Sequence, residues 1–186
     1  MAEAASSDDE LVRRFRSGDR EAFAALYRAN YPAIFRFAWH MSGDRSEALE
    51  ITQDVFVWLI HHPDDYEPQR GTLAAFLSGV ARKMLRRRRQ AGLRWVALDE
   101  ARTGGADPAA DFDRAQDAAF LRQAIRALPV KYREAIVLCD LEGKSYQEAA
   151  AALECAAGTV RSRLHRARAL LARKLERRRE GLRCAV

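Results

Sequence analysis

Apolar residues recur every three or four positions along almost the whole chain, and no stretch alternates as a strand would. Leu11, Val12 and Phe15 predict a first helix, started by Asp8 or Asp9 and stopped near Ser17-Gly18. Asp19 caps the next, whose stripe is Phe23, Leu26, Tyr27, Ile34, Phe35, Ala38 and Trp39, with Pro32 at a start or kink. After the break Ser42-Gly43-Asp44, a helix from Ser46 to about His61 turns Leu49, Phe56, Leu59 and Ile60 partly inward and keeps Glu50, Gln53 and Asp54 on a polar flank. Residues 61–71 read as a loop by their prolines and glycine. Thr72 then caps a helix through Leu73, Phe76, Leu77, Val80, Met84 and Leu85 that runs into Arg86–Arg89. Residues 91–112, with Gly92, Gly104-Gly105 and Pro108, form a linker. Helices follow over 112–127 and 131–140, separated by Leu128-Pro129. The fold class is all-α: two small helical domains, 10–90 and 113–177, joined by that flexible linker, with residues 1–9 disordered and 178–186 a basic tail.

The last segment carries the clearest local design. Ser145 offers an N-cap hydroxyl and Glu148, three residues on, completes a capping box. The alanine-rich helix ends at Leu153, Glu154 to Gly158 turns the chain, and Thr159 opens a second helix. Val160, Leu164, Ala167, Leu171 and Leu175 line the inner side of that second helix, while Arg161, His165 and Arg168, with Ser162 and Arg166 beside them, lie elsewhere. Short capped helix, tight turn and basic helix, in that order, are a helix-turn-helix, whose second helix suits the DNA major groove. There guanidinium groups grip guanine and hydroxyls accept or donate.

Charge sharpens the picture. The net charge of +6 on 186 residues is unevenly spread. Residues 82–94 hold seven Arg or Lys and no acid, and residues 161–179 hold nine against Glu176 alone. Residues 97–117 hold six acids against Arg102 and Arg114. Two basic blocks around an acidic one point to a polyanionic partner. The N-terminus is acidic and has no signal-peptide core, and no apolar run approaches the roughly 18 residues of a membrane helix. Cys139, Cys155 and Cys184 are far apart, which suits reduced thiols of a cytoplasm.

Other chemistry is sparse. The histidines, His40, His61, His62 and His165, fit no metal or catalytic spacing, and neither a phosphate-binding loop nor a nucleophile motif is present. No cofactor and no metal are expected. Loop 61–71 with Phe76, Lys83 and the arginine run suits opened DNA, rings stacking on unpaired bases and cations holding phosphates. It equally suits a core phenylalanine beside a solvated charge run. Glu50, Gln53, Asp54 and Val57 line one side of a helix, which by spacing alone is a solvated face.

Over about residues 10–176 the chain resembles the extracytoplasmic-function (group IV) sigma factors of bacterial RNA polymerase. Ser145-Tyr-Gln-Glu-Ala-Ala and Gly158-Thr-Val-Arg-Ser-Arg-Leu-His-Arg-Ala-Arg168, preceded by Leu128-Pro129 and Arg133-Glu134, resemble region 4. Phe23-Ala-Ala-Leu-Tyr27 and Glu50-Ile-Thr-Gln-Asp-Val-Phe56 resemble regions 2.1 and 2.2, and residues 66–89 resemble regions 2.3 and 2.4. The resemblance implies a promoter-specificity subunit with no active site of its own, working in the cytoplasm without membrane insertion. Its implied partners are core RNA polymerase (the clamp helices of the largest subunit, and the flap), promoter DNA and an anti-sigma factor. It implies −35 reading by Tyr146, Gln147, Thr159, Arg161, Ser162, Arg163, His165 and Arg166. It implies −10 reading by Tyr66, Arg70, Phe76, Lys83, Arg86 and Arg87, and polymerase docking by Glu50, Gln53, Asp54 and Val57.

The chain also departs from that pattern. Phe76 stands where tryptophan is usual, and Lys83 near a usual asparagine. Ala48-Leu49-Glu50 replaces Ala-Glu-Asp. Glu154 occupies a turn position that is often glycine, at a cost of roughly 1 kcal/mol if that turn needs positive φ. A stand-alone repressor or activator would need a dimer surface, for which there is no heptad run. A nucleic-acid-processing enzyme would need clustered carboxylates or metal ligands.

Overall fold

Caps and breakers set most of the helix boundaries in the computed structural model, which describes residues 2–95 and 112–183. Among these residues there is no strand, and no helix is long and apolar enough to cross a membrane. Helix α1 spans Ala2–Arg16, so the stretch expected to be disordered is helical from Ala2, and Asp8 and Asp9 lie within α1 rather than before it. Tertiary contact explains part of this: the Tyr66 hydroxyl donates to Asp9 Oδ1 at 3.2 Å.

Helix α2, Arg20–Ser42, starts where Asp19 Oδ1 accepts the N–H groups of Glu21 and Ala22 at 2.9 and 3.1 Å. Arg14 grips the same carboxylate and, with those amides, holds it below the usual range. Pro32 sits inside α2 without ending it. Gly43 ends it in the left-handed region, at φ 79°. A Cβ on Gly43 would lie 2.5 Å from Arg126 Nη1, so a side chain there would strain the backbone and push that guanidinium aside.

Helix α3, Arg45–His61, is capped by Asp44 and buries Ala48, Ile51, Val55, Phe56 and Leu59. Leu49 and Ile60, expected partly inward, are 38% and 47% exposed. Helix α4, Leu73–Trp95, begins at Thr72, whose hydroxyl accepts from Ala75 N–H at 3.3 Å. It continues past Arg89, because the Gly92 that follows costs only about 1 kcal/mol inside a helix. The expected linker therefore begins later than residue 91, and its acidic part, 96–111, lies outside the described residues.

Helices α5, Phe112–Arg126, and α6, Val130–Ile136, flank Leu128-Pro129. Residues 137–141 form one π-turn instead of the continuous helix expected to Asp140. Helix α7, Tyr146–Leu153, carries the full capping box: Ser145 Oγ accepts from Glu148 N–H, and Glu148 Oε2 accepts from Ser145 N–H at 2.9 Å. Burial alone would raise the Glu148 carboxyl, but the Ser145 bonds outweigh it and hold it low. Glu154 closes α7 at φ 52°, ψ 47°, so the turn does need positive φ. Helix α8, Ala157–Arg183, buries Val160, Leu164, Ala167 and Leu171, while Leu175 is 38% exposed. The basic tail expected from 178 continues α8 through Arg183, and residues 184–186 lie outside the described residues.

The two halves pack on each other. Helix α4 crosses α7 where Gly79 meets Ala152, whose carbonyl oxygen would be 3.3 Å from a Cβ there. Arg126 and Arg133 reach across to the carboxyl end of α2, donating to Gly43 O at 3.1 Å and Met41 O at 2.9 Å. Arg89 donates to Met41 O as well. Burial, then the neighbouring Arg89 and Arg126, push the Arg133 guanidinium down to about 10. These cations face the negative end of the α2 dipole. Buried apolar residues from α1 to α8 form one cluster, which continues from one helical half into the other.

Candidate nucleic-acid interface

The loop before α4 is shaped from a distance. Arg16, at the end of α1, donates to Pro63 O at 2.9 Å and Tyr66 O at 2.6 Å, and pairs with Asp64 at 3.3 Å. Pro68–Arg70 adds a single 3-10 turn, in which Arg70 pairs with Glu67. Arg16→Ala is expected to loosen this loop by about 1.5–3 kcal/mol, the range for hydrogen bonds involving a charged group. Amide hydrogen exchange should rise about tenfold or more over 62–71 while α8 is unchanged, and equal protection in both proteins would refute the brace.

Behind the loop lies a cleft of about 260 Å³. Phe76 stands between the rings of Tyr66 and Trp58, at centroid distances of 5.6 and 5.8 Å. Tyr66 is only 3% exposed, its hydroxyl donating to Gly71 O and Asp9, so it forms the cleft's floor. Burial and the Asp9 carboxylate raise that hydroxyl's pKa, so it stays a donor at neutral pH. Arg70 and Lys83 line the edge, and Ala151, Ala152 and Glu154 of the other half close the far side. Arg86 and Arg87 are exposed further along α4. Aromatic floor and cationic rim together suit an unpaired base and its phosphate.

Glu50, Gln53, Asp54 and Val57 are all exposed on α3. Leu49, Val57 and Ile60 make the same side apolar as well as acidic. Arg88 reaches over from α4 to Glu50 Oε2 and Asp54 Oδ2, each at 2.7 Å, and both carboxylates keep its guanidinium firmly charged against its partial burial. Sequence reasoning missed Arg88, although it follows Ala81 and Leu85 at spacings of four and three on the inner side of α4.

On α8 the predicted front is presented to solvent at Arg161, Ser162, His165 and Arg166, while Thr159 and Arg163 are half-buried. Tyr146 and Gln147 are exposed at the start of α7. The Arg161 guanidinium lies 5.7 Å from the Tyr146 ring centroid, which fixes it across the two helices. Ser162 Oγ donates to Thr159 O at 3.0 Å. Arg168 is held by both oxygens of Asp140, at 2.6 and 3.0 Å, which anchors α8 to the π-turn.

Two exposed basic helices on one chain, one beside an aromatic cleft and one in a helix-turn-helix, define a bipartite nucleic-acid reader. Family models agree: residues 26–94 match Sigma-70 region 2 and residues 121–171 match Sigma-70, region 4. The chain is 32% identical over 169 residues to the ECF RNA polymerase sigma factor SigM of Mycobacterium tuberculosis (strain H37Rv), covering 91% of this chain and 85% of SigM. It is 33% identical over 161 residues to SigE of Mycolicibacterium smegmatis, covering 82% of this chain but 62% of that longer protein. The sigma factor RpoE from Bartonella quintana, solved in complex with the anti-sigma factor NepR, superposes with a TM-score of 0.70 at 27% identity, over 83% of this chain and 96% of that one. The chain belongs to the extracytoplasmic-function RNA polymerase sigma factors.

Proposed function

We propose that this chain binds core RNA polymerase in the cytoplasm, recognises −35 and −10 promoter elements and promotes DNA melting at the −10 element to initiate transcription, acting as a specificity subunit with no active site of its own. The observation that carries this is the pairing of α4 and α8: an aromatic, cationic cleft and a helix-turn-helix front on one chain. Arg161, Ser162, Arg163, His165 and Arg166 would read the duplex −35 element, with Tyr146, Gln147 and Thr159 contributing phosphate or backbone contacts. Phe76 would receive an unpaired −10 base over the Tyr66 floor, while Arg70, Lys83, Arg86 and Arg87 hold the strand's phosphates. Glu50, Gln53, Asp54 and Val57 would dock on the clamp helices of the polymerase's largest subunit. An anti-sigma factor would hold the chain inactive, as NepR accompanies the Bartonella protein.

Two weak DNA-binding modules gain from effective concentration once polymerase fixes their spacing. The isolated chain is therefore expected to shift promoter DNA weakly, and the complex with core polymerase to shift it tightly. Run-off transcription with core enzyme on a pool of genomic fragments reads out the start sites. A tight, sequence-specific footprint by the chain alone would overturn the reading.

A further inference from the structure

We propose that Tyr132, on α6 and outside the helix-turn-helix, is a positioning residue for −35 reading: it aims the Arg166 guanidinium at one edge of the α8 front, as Tyr146 aims Arg161 at the other. The inference rests on the assignment of α8 to the −35 element made above.

The front of α8 has a centre and two edges. At about 100° per residue, His165 and Ser162 lie about 40° and about 100° round the helix from Arg161, and Arg166 lies about 140° round. The buried stripe of Val160, Leu164, Ala167 and Leu171 occupies the opposite side. His165 and Ser162 therefore form the middle of the exposed arc, and Arg161 and Arg166 its borders. Each border arginine meets a tyrosine from a neighbouring helix. Arg161 lies over the Tyr146 ring of α7. Arg166 donates to the hydroxyl of Tyr132, near the start of α6, which packs against α8. That bond, helped by the charge of Lys131, holds the phenol below its usual range. Lys131 Nζ stands 5.1 Å from the centroid of the same ring. The ring is half-buried against the core, so it is a fixed post for the exposed arginine.

The chemistry of the partner matters. Arg168 is held by both oxygens of Asp140 and so is engaged with the fold. A carboxylate fixes a guanidinium and also cancels its charge, so DNA would have to displace it. A tyrosine orients the guanidinium through its oxygen or its ring face and leaves the charge for the incoming partner. Arg161 and Arg166 thus keep the two properties that gripping guanine requires, a set direction and an available charge. An arginine that is already ordered also loses less side-chain freedom when DNA binds.

The test uses the holoenzyme, formed from the full chain and core polymerase, on −35 duplexes that differ from a transcribed promoter by single base pairs. Arg166→Ala should abolish discrimination at one base pair. Tyr132→Phe keeps the ring and removes only the acceptor. It should weaken discrimination at that same base pair by about fivefold, the scale of a single hydrogen bond's net contribution. In the double variant Tyr132→Phe should add nothing to Arg166→Ala, because its effect passes through that arginine. Without DNA, the Tyr132 Cζ resonance of tyrosine-labelled chain, identified by its absence in Tyr132→Phe, should titrate at lower pH in the parent than in Arg166→Ala. Equal titration in both, or discrimination unchanged by Tyr132→Phe, overturns the positioning role. So does an additive double variant, or a loss spread over every base pair with a lower Tm, since Tyr132 would then touch DNA directly or act through the fold. Arg166→Ala without effect at any base pair overturns the −35 assignment of Arg166 itself, and the positioning role with it.

Discussion

Alanine at Leu164 is expected to lower the unfolding free energy by about 3 kcal/mol, within the 2–5 kcal/mol range for emptying a buried leucine site. Leu164 is 1% exposed and sits at the middle of the inner stripe of α8, between Val160 and Ala167, which are both fully buried. That stripe faces α6 and α7, so the lost methyl groups leave a void at the point where the three helices meet. Close-packed interiors relax into such voids only partly. For a chain of this size the change corresponds to a fall in Tm of about 6–12 °C. Leu175→Ala provides the control: the same side chain, 38% exposed, should cost less than about 1 kcal/mol. Urea unfolding followed by circular dichroism measures both, and equal midpoints for the two variants would refute the inward stripe. The front residues Arg161, Ser162, His165 and Arg166 are untouched by either change. Lost −35-dependent transcription in Leu164→Ala should accordingly return at lower temperature, where the helix-turn-helix is refolded.

That stripe was legible because it is local. A period near 3.6, a serine and a glutamate three residues apart and a turn residue define the helix-turn-helix with no knowledge of the rest of the chain. Asp19, Thr72 and Ser145 cap helices for the same reason: each acts on amides two or three residues away. Even the strain at Glu154 could be anticipated from its place in the turn. Helix α3 defeated the same reasoning. Residues 55–60 are Val-Phe-Val-Trp-Leu-Ile, apolar all round, so periodicity turned Phe56 and Leu59 inward and Val57 outward but could not say that Ile60 faces out as well. Contacts between the halves were out of reach altogether. Arg82 and Glu134 are 52 residues apart, Thr72 and Glu148 are 76, and Arg36 and Glu142 are 106. A lone arginine in a basic run carries no local sign of which carboxylate it will meet. The same limit hid Arg88, one of four consecutive arginines, and with it the neutralisation of the acidic pair on α3.

Replacing Glu50 and Asp54 together with lysine is expected to weaken binding to core polymerase by about 30- to 100-fold, or 2–3 kcal/mol, the scale of lost charge pairs at an interface. The two carboxylates are 63% and 51% exposed and lie beside the exposed Val57, so the patch offers acid and apolar surface together. Arg88 complicates the sign, because it already binds both acids. If the acids serve only to brace α4 against α3, Arg88→Gln and the lysine pair should both loosen that contact, and polymerase affinity should fall in both. If the acids are the docking surface and Arg88 shields them, Arg88→Gln should leave affinity unchanged or raise it up to about fivefold, within the worth of partly exposed pairs. The second outcome is expected. Arg88 is 36% exposed, so its guanidinium can return to water at little cost when a partner's cations take its place. Titrating labelled chain with core polymerase, without DNA, isolates this step from any role of the arginine run in strand binding. Raising salt should erode the effect of the lysine pair, since exposed charges about 10 Å apart are screened near 0.1 M. A salt-independent loss would mean that the substitutions act through the fold of α3, whose buried Val55 and Phe56 lie next to Asp54 and support the aromatic layer with Tyr27.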